Sequence, residues 1–127
     1  MSQPRFRMDH VQITVPGALE TETRRFYGEG LGFPEIPKPP ALARNGGMWY
    51  QLGDVQLHVS LEDVDPAANG ASRRHIAYDV ADVDALEAEL RRRGLAIIPD
   101  RQPTPGLRRF YLRDPGGNRL EISQKLD

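Results

Sequence analysis

Two stretches of this sequence decide its fold: Asp9-His10-Val11-Gln12-Ile13-Thr14-Val15 and Arg74-His75-Ile76-Ala77-Tyr78-Asp79-Val80. A shift of 65 residues lays the first stretch on the second and places His10 on His75. In both stretches apolar and polar residues alternate, which is the pattern of a β-strand with one buried face. Each histidine lies on the polar face. The sequence therefore predicts two equivalent strands, one in each half of an internal repeat.

A second match supports the repeat. A shift of 63 residues lays Gly53-Asp54-Val55-Gln56-Leu57-His58-Val59 on Gly116-Gly117-Asn118-Arg119-Leu120-Glu121-Ile122. This match places His58 on Glu121, and both residues again lie on the polar face of an alternating strand. Four predicted strands thus present three imidazoles and one carboxylate at corresponding positions.

Each half of the chain reads as a strand, a helix and three further strands. We expect an α+β fold in which two βαβββ repeats form curved mixed sheets around a shared metal-binding cavity. The whole chain, residues 1–127, is predicted to be one domain. Its first repeat covers about 6–62, a linker covers about 63–72, and the second repeat covers about 73–125.

Helix and loop signals agree with this division. The first helix is predicted to follow Pro16-Gly17 and to run to about Gly28, and the second to begin after Asp82 and to stop at Gly94. Three segments rich in proline, glycine or asparagine are predicted to be loops: Pro34–Gly47, Asp63–Ser72 and Pro99–Gly106.

Composition restricts the function. The net charge of −1 argues against a surface for nucleic acid or for anionic membranes, so a small molecule is the expected partner. The chain has no cysteine, which excludes thiolate ligands and a cysteine nucleophile. No segment resembles a signal peptide or a membrane span, and a cytoplasmic location is expected.

The four polar-face residues indicate a metal site. Two half-sheets that curl toward each other would bring His10, His58, His75 and Glu121 around one pocket. Three imidazoles and a carboxylate suit one divalent transition metal ion, namely Fe, Ni, Zn, Co or Mn, whereas Mg and Ca prefer more oxygen ligands. A substrate of such a site would bind the ion through two adjacent oxygens.

The sequence resembles the vicinal oxygen chelate superfamily over nearly its whole length, as a glyoxalase-like member. This superfamily includes glyoxalase I, methylmalonyl-CoA epimerase, extradiol dioxygenases, fosfomycin resistance enzymes and bleomycin resistance proteins. The segments that carry the resemblance are Asp9-His10-Val11, Arg25-Phe26-Tyr27 to Leu31-Gly32-Phe33, Gly53 to His58, His75-Ile76-Ala77, and Arg109 to Glu121.

The resemblance implies metal ligands at His10, His58, His75 and Glu121. Glyoxalases and the epimerase usually have Glu or Gln where His58 stands, whereas the dioxygenases and fosfomycin enzymes use two His and one Glu. His58 is therefore a ligand, a base linked to the metal, or a residue that supports the ligands without binding the metal. Glu121 or His58 could move a proton. Many members form homodimers, and we expect one here, with or without a swap of repeats between chains.

Substrate-binding candidates follow from the same faces. Arg109 and Tyr111 are two residues apart on one strand, and the resemblance directs them inward, where they could bind an anionic group of the substrate. The alternative for Arg109 is an ordinary salt bridge. Gln12 shares the face of the first histidine, and Trp49 either lines the pocket or fills the core.

Three functions remain open at this point. The first is a metal-dependent glyoxalase-like enzyme with lyase or isomerase chemistry. The second is an Fe(II) extradiol-type dioxygenase, which would differ in its metal and its use of dioxygen. The third is a non-catalytic drug-binding protein of the bleomycin-resistance type. A complete ligand set favours an enzyme, because a sequestering cavity does not need three histidines facing a glutamate.

Overall fold

A computed structural model describes residues 5–127, and its eight strands form two sheets of four. The strands of the first sheet are β1 (His10–Val15), β2 (Glu35–Ile36), β3 (Met48–Leu52) and β4 (Val55–Leu61). Those of the second sheet are β5 (His75–Asp79), β6 (Ile98–Pro99), β7 (Leu107–Arg113) and β8 (Arg119–Lys125). The spatial orders are β1-β4-β3-β2 and β5-β8-β7-β6.

The two sheets have the same strand pairing, which confirms the predicted βαβββ pattern. β1 runs parallel to β4 with His10 opposite Gln56, and β5 runs parallel to β8 with His75 opposite Arg119. The remaining neighbours in each sheet are antiparallel. Because the register is the same in both sheets, each one places its two candidate ligands side by side on adjacent strands.

Residues 5–127 contain four α-helices: α1 (Glu20–Arg24), α2 (Pro40–Ala43), α3 (Pro66–Gly70) and α4 (Val83–Arg92). A wider π-helical turn, Arg25–Gly30, extends α1 beyond the predicted end at Gly28. α2 and α3 lie inside segments predicted to be loops. Both begin at a proline, whose fixed φ suits the first helical position. None of the helices in residues 5–127 is long and apolar enough to cross a membrane.

The core lies between the sheets and the helices. α4 contributes Val83 and Leu90 to it, and the π-helical turn contributes Tyr27. The other fully buried apolar residues come from the strands: Val15, Met48, Tyr50, Leu57, Val59, Phe110, Leu112, Leu120 and Ile122. The apolar strand faces are therefore covered by the helices, and the opposite faces carry the candidate site residues.

A small set of buried and partly buried contacts joins the two halves. The Tyr27 hydroxyl donates to Asp114 Oδ2 over 2.7 Å, and Asn118 Nδ2 donates to the Thr14 carbonyl over 3.0 Å. The turn between β7 and β8 also packs tightly on β1, since a methyl group at Gly116 would lie 2.6 Å from a Val15 side-chain carbon. These contacts fix how the two sheets sit beside each other.

Candidate functional site

The four predicted ligands lie in two pairs, one on each sheet. His10 and His58 face each other with ring centroids 4.1 Å apart, while His75 Nε2 lies 3.4 Å from Glu121 Oε1. Within residues 5–127, no three His, Asp or Glu side chains are grouped closely enough to hold a metal ion. The described residues of a single chain therefore do not gather all four predicted ligands around one pocket. The reason is the pairing of β1 with β4 and of β5 with β8, which completes each pair inside its own sheet.

The pair on the second sheet has the geometry of two metal ligands. His75 Nδ1 lies 2.9 Å from the Arg73 carbonyl oxygen, which can only accept, so Nδ1 carries the proton of the neutral ring. Nε2 then carries the lone pair and lies 3.4 Å from Glu121 Oε1. Ligand atoms about 2.1 Å from one ion lie roughly 3.4 Å apart at a tetrahedral angle. The observed 3.4 Å separation fits this span.

His10 is oriented in the same way. Its Nδ1 lies 2.8 Å from Asp9 Oδ2, so the carboxylate accepts the Nδ1 proton and leaves Nε2 open. The side chain is 44% exposed, and that of His75 is 35% exposed. Both imidazoles are thus partly accessible from outside the chain. Asp9 was not among the residues predicted for the site, although a carboxylate directly before a candidate ligand is a recognisable signal.

His58 differs from the other two histidines in the nitrogen that it commits. The Gly53 carbonyl accepts from Gln51 Nε2, and Gln51 Oε1 accepts from Gln56 Nε2. Gln56 Oε1 is then left to accept a proton from His58 Nε2 over 2.9 Å. Because the chain of hydrogen bonds starts at a backbone carbonyl, it fixes both amide orientations and the tautomer. Only Nδ1 of His58 remains open.

Three rings form a stack on the first sheet. Trp49 lies on His58 with centroids 3.7 Å apart and planes 1° apart, and His10 covers the other side at an interplanar angle of 13°. A ligand lone pair lies in the plane of its ring, so two parallel rings cannot both direct one at the same ion. Burial, and then the neighbouring His10, lower the pKa of His58. His58 is therefore a neutral imidazole beside a candidate ligand.

Glu121 is surrounded by donors. It is buried, and its Oε1 lies 3.3 Å from the Tyr111 hydroxyl and 3.5 Å from Arg109 Nη1. Arg109 is held from behind by Asp100, whose Oδ2 accepts from Nε over 2.9 Å, and this bond raises the pKa of the guanidinium. Burial, and then the charge of Glu121, raise the pKa of Tyr111. Asp100 lies in a predicted loop, and no spacing pattern singled it out.

The four predicted substrate contacts are divided between the sheets. Trp49 lies against His58, and Gln12 is exposed on β1, where it lines a cavity with His75. Arg109 and Tyr111 accompany Glu121 on the second sheet. Arg109 forms a salt bridge with Asp100, as the alternative for it had allowed, and still directs one nitrogen toward the candidate ligand.

Comparisons with known proteins agree with this architecture. Residues 7–122 match the family model of the Glyoxalase/Bleomycin resistance protein/Dioxygenase superfamily. A structure of a protein from Bacillus anthracis assigned to the glyoxalase family shares 38% identity, covers 98% of this chain and 99% of its own, and superposes with a TM-score of 0.86.

Two more distant structures show the same fold. TnmS3, an antibiotic binding protein from Streptomyces sp. CB03234, has 23% identity and a TM-score of 0.74 over 98% of this chain and 99% of its own. A glyoxalase/dioxygenase from Nostoc punctiforme has 23% identity and a TM-score of 0.78, and the match covers 95% of this chain and 92% of its own. A search of curated proteins gave no match. From the family match and the 38% identical structure, the chain belongs to the Glyoxalase/Bleomycin resistance protein/Dioxygenase superfamily, the vicinal oxygen chelate group that its motifs resemble.

Proposed function

We propose that the protein is a divalent-metal-dependent lyase or isomerase acting on a small substrate that offers two adjacent oxygens. The ligands would be His10, His75 and Glu121, which would hold one ion of Fe, Ni, Zn, Co or Mn. The observation that carries this proposal is the 3.4 Å approach of two acceptors, His75 Nε2 and Glu121 Oε1. Two acceptor atoms this close repel each other unless a cation or a proton lies between them.

We infer that the complete site forms in a homodimer. The pairs lie on corresponding strands of two similar sheets, and each leaves one imidazole partly exposed. A two-fold axis that sets the first sheet of each chain against the second sheet of its partner would create two identical sites. Each site would then contain His10 and His58 from one chain, and His75 and Glu121 from the other.

The residues around the pairs supply further chemistry. A bound ion would act as a Lewis acid, polarising the substrate oxygens that it binds. His58 is assigned the role of proton acceptor, because it is neutral, its Nε2 is anchored and its Nδ1 is open. Glu121 serves as a ligand. Tyr111 and Arg109 can donate to an anionic group of the substrate beside it.

An Fe(II) extradiol-type dioxygenase is the second candidate. Two histidines and one carboxylate, with His58 excluded, form the ligand set that leaves positions open for a chelating substrate and dioxygen. Identity of the native metal separates the two candidates. If the native metal is iron and the protein consumes oxygen when catechols are added, it is a dioxygenase. If the native metal is a different one and no oxygen is consumed, the chemistry is proton transfer.

A complementation experiment tests the ligands and the dimer together. His10→Ala damages only the first-sheet pair and Glu121→Ala only the second, so each variant alone should lose bound metal. Co-purified in equal amounts, the two variants should form about half heterodimers, each with one intact site out of two, and recover about a quarter of the wild-type metal. Elemental analysis measures the metal, and analytical ultracentrifugation confirms the dimer.

The outcomes separate the alternatives. No recovery in the mixture would contradict the composite site, because a site within one chain cannot be repaired by a second chain. Unchanged metal in both single variants would contradict the ligands. A wild-type protein that stays empty when metal is supplied would instead indicate a drug-binding protein. His58→Gln should keep its metal and lose about a hundredfold or more in turnover, and a loss of metal instead would make His58 a ligand.

A further inference from the structure

A polar cavity lies between the two sheets, away from the ring stack. It has a volume of about 280 Å³ and opens between the exposed edge strands β1 and β5. Its lining comes from β1, from the segment after α3, from β5 and from the start of β8: Gln12, Ile13, Thr14, Asn69, Ser72, Arg74, His75, Ile76, Asn118 and Arg119. This volume is just below the range of about 300–1,000 Å³ typical of drug-sized ligands, so a compact group fits it.

The charge of the cavity has one sign. Arg74 and Arg119 both line it, and no aspartate or glutamate does so within the described chain. Across residues 5–127, neither guanidinium forms an ion pair with a carboxylate. Two arginines that share a small cavity without a counter-ion repel each other, and an anion between them would remove that repulsion.

The hydrogen-bonding groups of these arginines are largely unused. The guanidinium of Arg74 donates one hydrogen bond, from Nε to Ser72 Oγ, and this bond holds the side chain beside the cavity. The guanidinium of Arg119 lies 4.0 Å over the centre of the Tyr111 ring, a cation–π contact that fixes its plane. Stacking through the face leaves the N–H groups at the edge free to donate. Both guanidinium groups are thus oriented but uncommitted.

The neighbourhood behind the cavity adds positive charge. Arg113 lies directly opposite Arg119 in the pairing of β7 with β8, and its Nη1 donates only to the carbonyls of Asn69 and Gly117. Burial, and then the charge of Arg119, lower the pKa of Arg113. The charge of Asp114 opposes this shift in the pKa of Arg113 but has a smaller effect than that of Arg119, so the local excess of positive charge is only partly offset from behind.

We propose that this cavity binds a compact oxyanion, a phosphate, phosphonate or carboxylate group, between Arg74 and Arg119. The side chain of Gln12 adds a further donor at its edge. His75 lines the cavity and also faces Glu121, so an anion here would lie beside the candidate metal site. Its role as the anchor for an anionic substrate rests on the proposed function, whereas binding of the oxyanion itself does not.

Inorganic phosphate and acetate are the probes for a calorimetric titration of the purified protein, without metal and with manganese. We expect saturable binding of at least one of them in both forms, with a Kd of about 1 mM or tighter that weakens as salt is added. Arg74→Gln and Arg119→Gln should each weaken binding about tenfold. Arg73→Gln removes the same charge from the adjacent position, outside the lining, and should leave Kd unchanged.

Three results would overturn the proposal. These are the absence of saturable binding of either anion, an equal loss of affinity in Arg73→Gln, and binding that requires manganese and survives Arg74→Gln. If phosphate binds, a titration with methyl phosphate shows whether the natural ligand is a free ion or a group of a larger molecule. Equal affinity for methyl phosphate and phosphate indicates a group carried by a substrate, and failure of methyl phosphate to bind indicates a free ion. A protein that binds phosphate but no metal would contradict the proposed function and leave the cavity assignment intact.

Discussion

Replacing Tyr27 by phenylalanine should destabilise the protein, because the Tyr27 hydroxyl joins its two halves. The hydroxyl is buried and donates over 2.7 Å to Asp114, which is itself buried and 87 residues away along the chain. Phenylalanine keeps the ring and its packing. The substitution therefore removes one hydrogen bond to a carboxylate and little else.

The expected loss follows from the charge of the acceptor. A hydrogen bond to a charged group contributes about 1.5–3 kcal/mol, more than a neutral one, and the carboxylate that loses its donor stays buried. We therefore expect the free energy of unfolding to fall by about 1.5–3 kcal/mol. For a chain of this length, the midpoint of thermal unfolding should fall by about 6–12 °C.

Tyr50 provides a matched control. Its ring lies 5.8 Å from that of Tyr27, and its buried hydroxyl has no hydrogen-bond partner among the described residues. Burial is the main cause that raises the pKa of Tyr50 to about 12, so this hydroxyl is neutral at pH 7. Tyr50→Phe removes an unsatisfied polar atom and should leave stability unchanged or increase it by about 1 kcal/mol.

Urea denaturation at equilibrium measures both variants, with a change in midpoint at constant slope as the sign of a change in stability. The reasoning is refuted if Tyr27→Phe costs less than about 0.5 kcal/mol, or if both variants lose the same amount. Equal losses would mean that the hydroxyl groups contribute through packing and not through their different partners.

The pH dependence of the loss gives an independent test. Burial raises the pKa of Asp114, and the hydrogen bonds from Tyr27 and Asn118 partly oppose that shift. A carboxyl group whose folded pKa exceeds its unfolded value makes the fold less stable as the pH rises through that window. Without Tyr27 the folded pKa rises further. The loss in Tyr27→Phe should be small near about pH 4 and complete at about pH 7.

Three further substitutions test the surroundings of the candidate ligands and the join between the sheets. Asp9→Asn removes the charge that orients His10 and should weaken metal binding about tenfold. Its control is Asp54→Asn, at an exposed turn, which should leave metal binding unchanged. Asp100→Asn releases Arg109 toward Glu121 and should also weaken metal binding about tenfold. Its control is Asp84→Asn, which frees the exposed Arg108 and should have no effect on metal binding. Metal titration measures all four variants, and equal affinities within a pair would contradict the assignment. Gly116→Ala forces a methyl group against β1 and should cost about 1–3 kcal/mol in urea, and an unchanged midpoint would show that the turn is loosely packed.

The repeat made the fold predictable. Because side chains alternate along a strand, matching His10 with His75 and His58 with Glu121 also matched the faces and the strand order of both halves. The parallel pairing of first and last strands followed the same symmetry. The short helix Pro66–Gly70 was missed even though its signal was present, since Asp65 caps it and a proline begins it.

The grouping of the site was less predictable. Alternation reports the face on which a side chain lies but not how two sheets are placed relative to each other. His10 and Glu121 were therefore expected around one pocket, with the contribution of a second chain left open, and within one chain they lie in separate pairs. Asp100 was missed for a related reason. It meets Arg109 across a loop, and loop conformation is not encoded in any strand or helix period.

The distinction between the histidines needs atomic detail, because a strand pattern treats the three as equivalent. The partners of their ring nitrogens separate them: Asp9 and a backbone carbonyl hold Nδ1 of His10 and His75, whereas Gln56 engages Nε2 of His58. His10 and His75 are anchored through Nδ1, which leaves Nε2 free to bind a metal ion. His58 is anchored through Nε2 and lies parallel to His10, so the two rings cannot both direct a lone pair at one ion. The proposed division of three identical residue types into two ligands and one base therefore rests on the groups next to each ring, which decide which nitrogen is free.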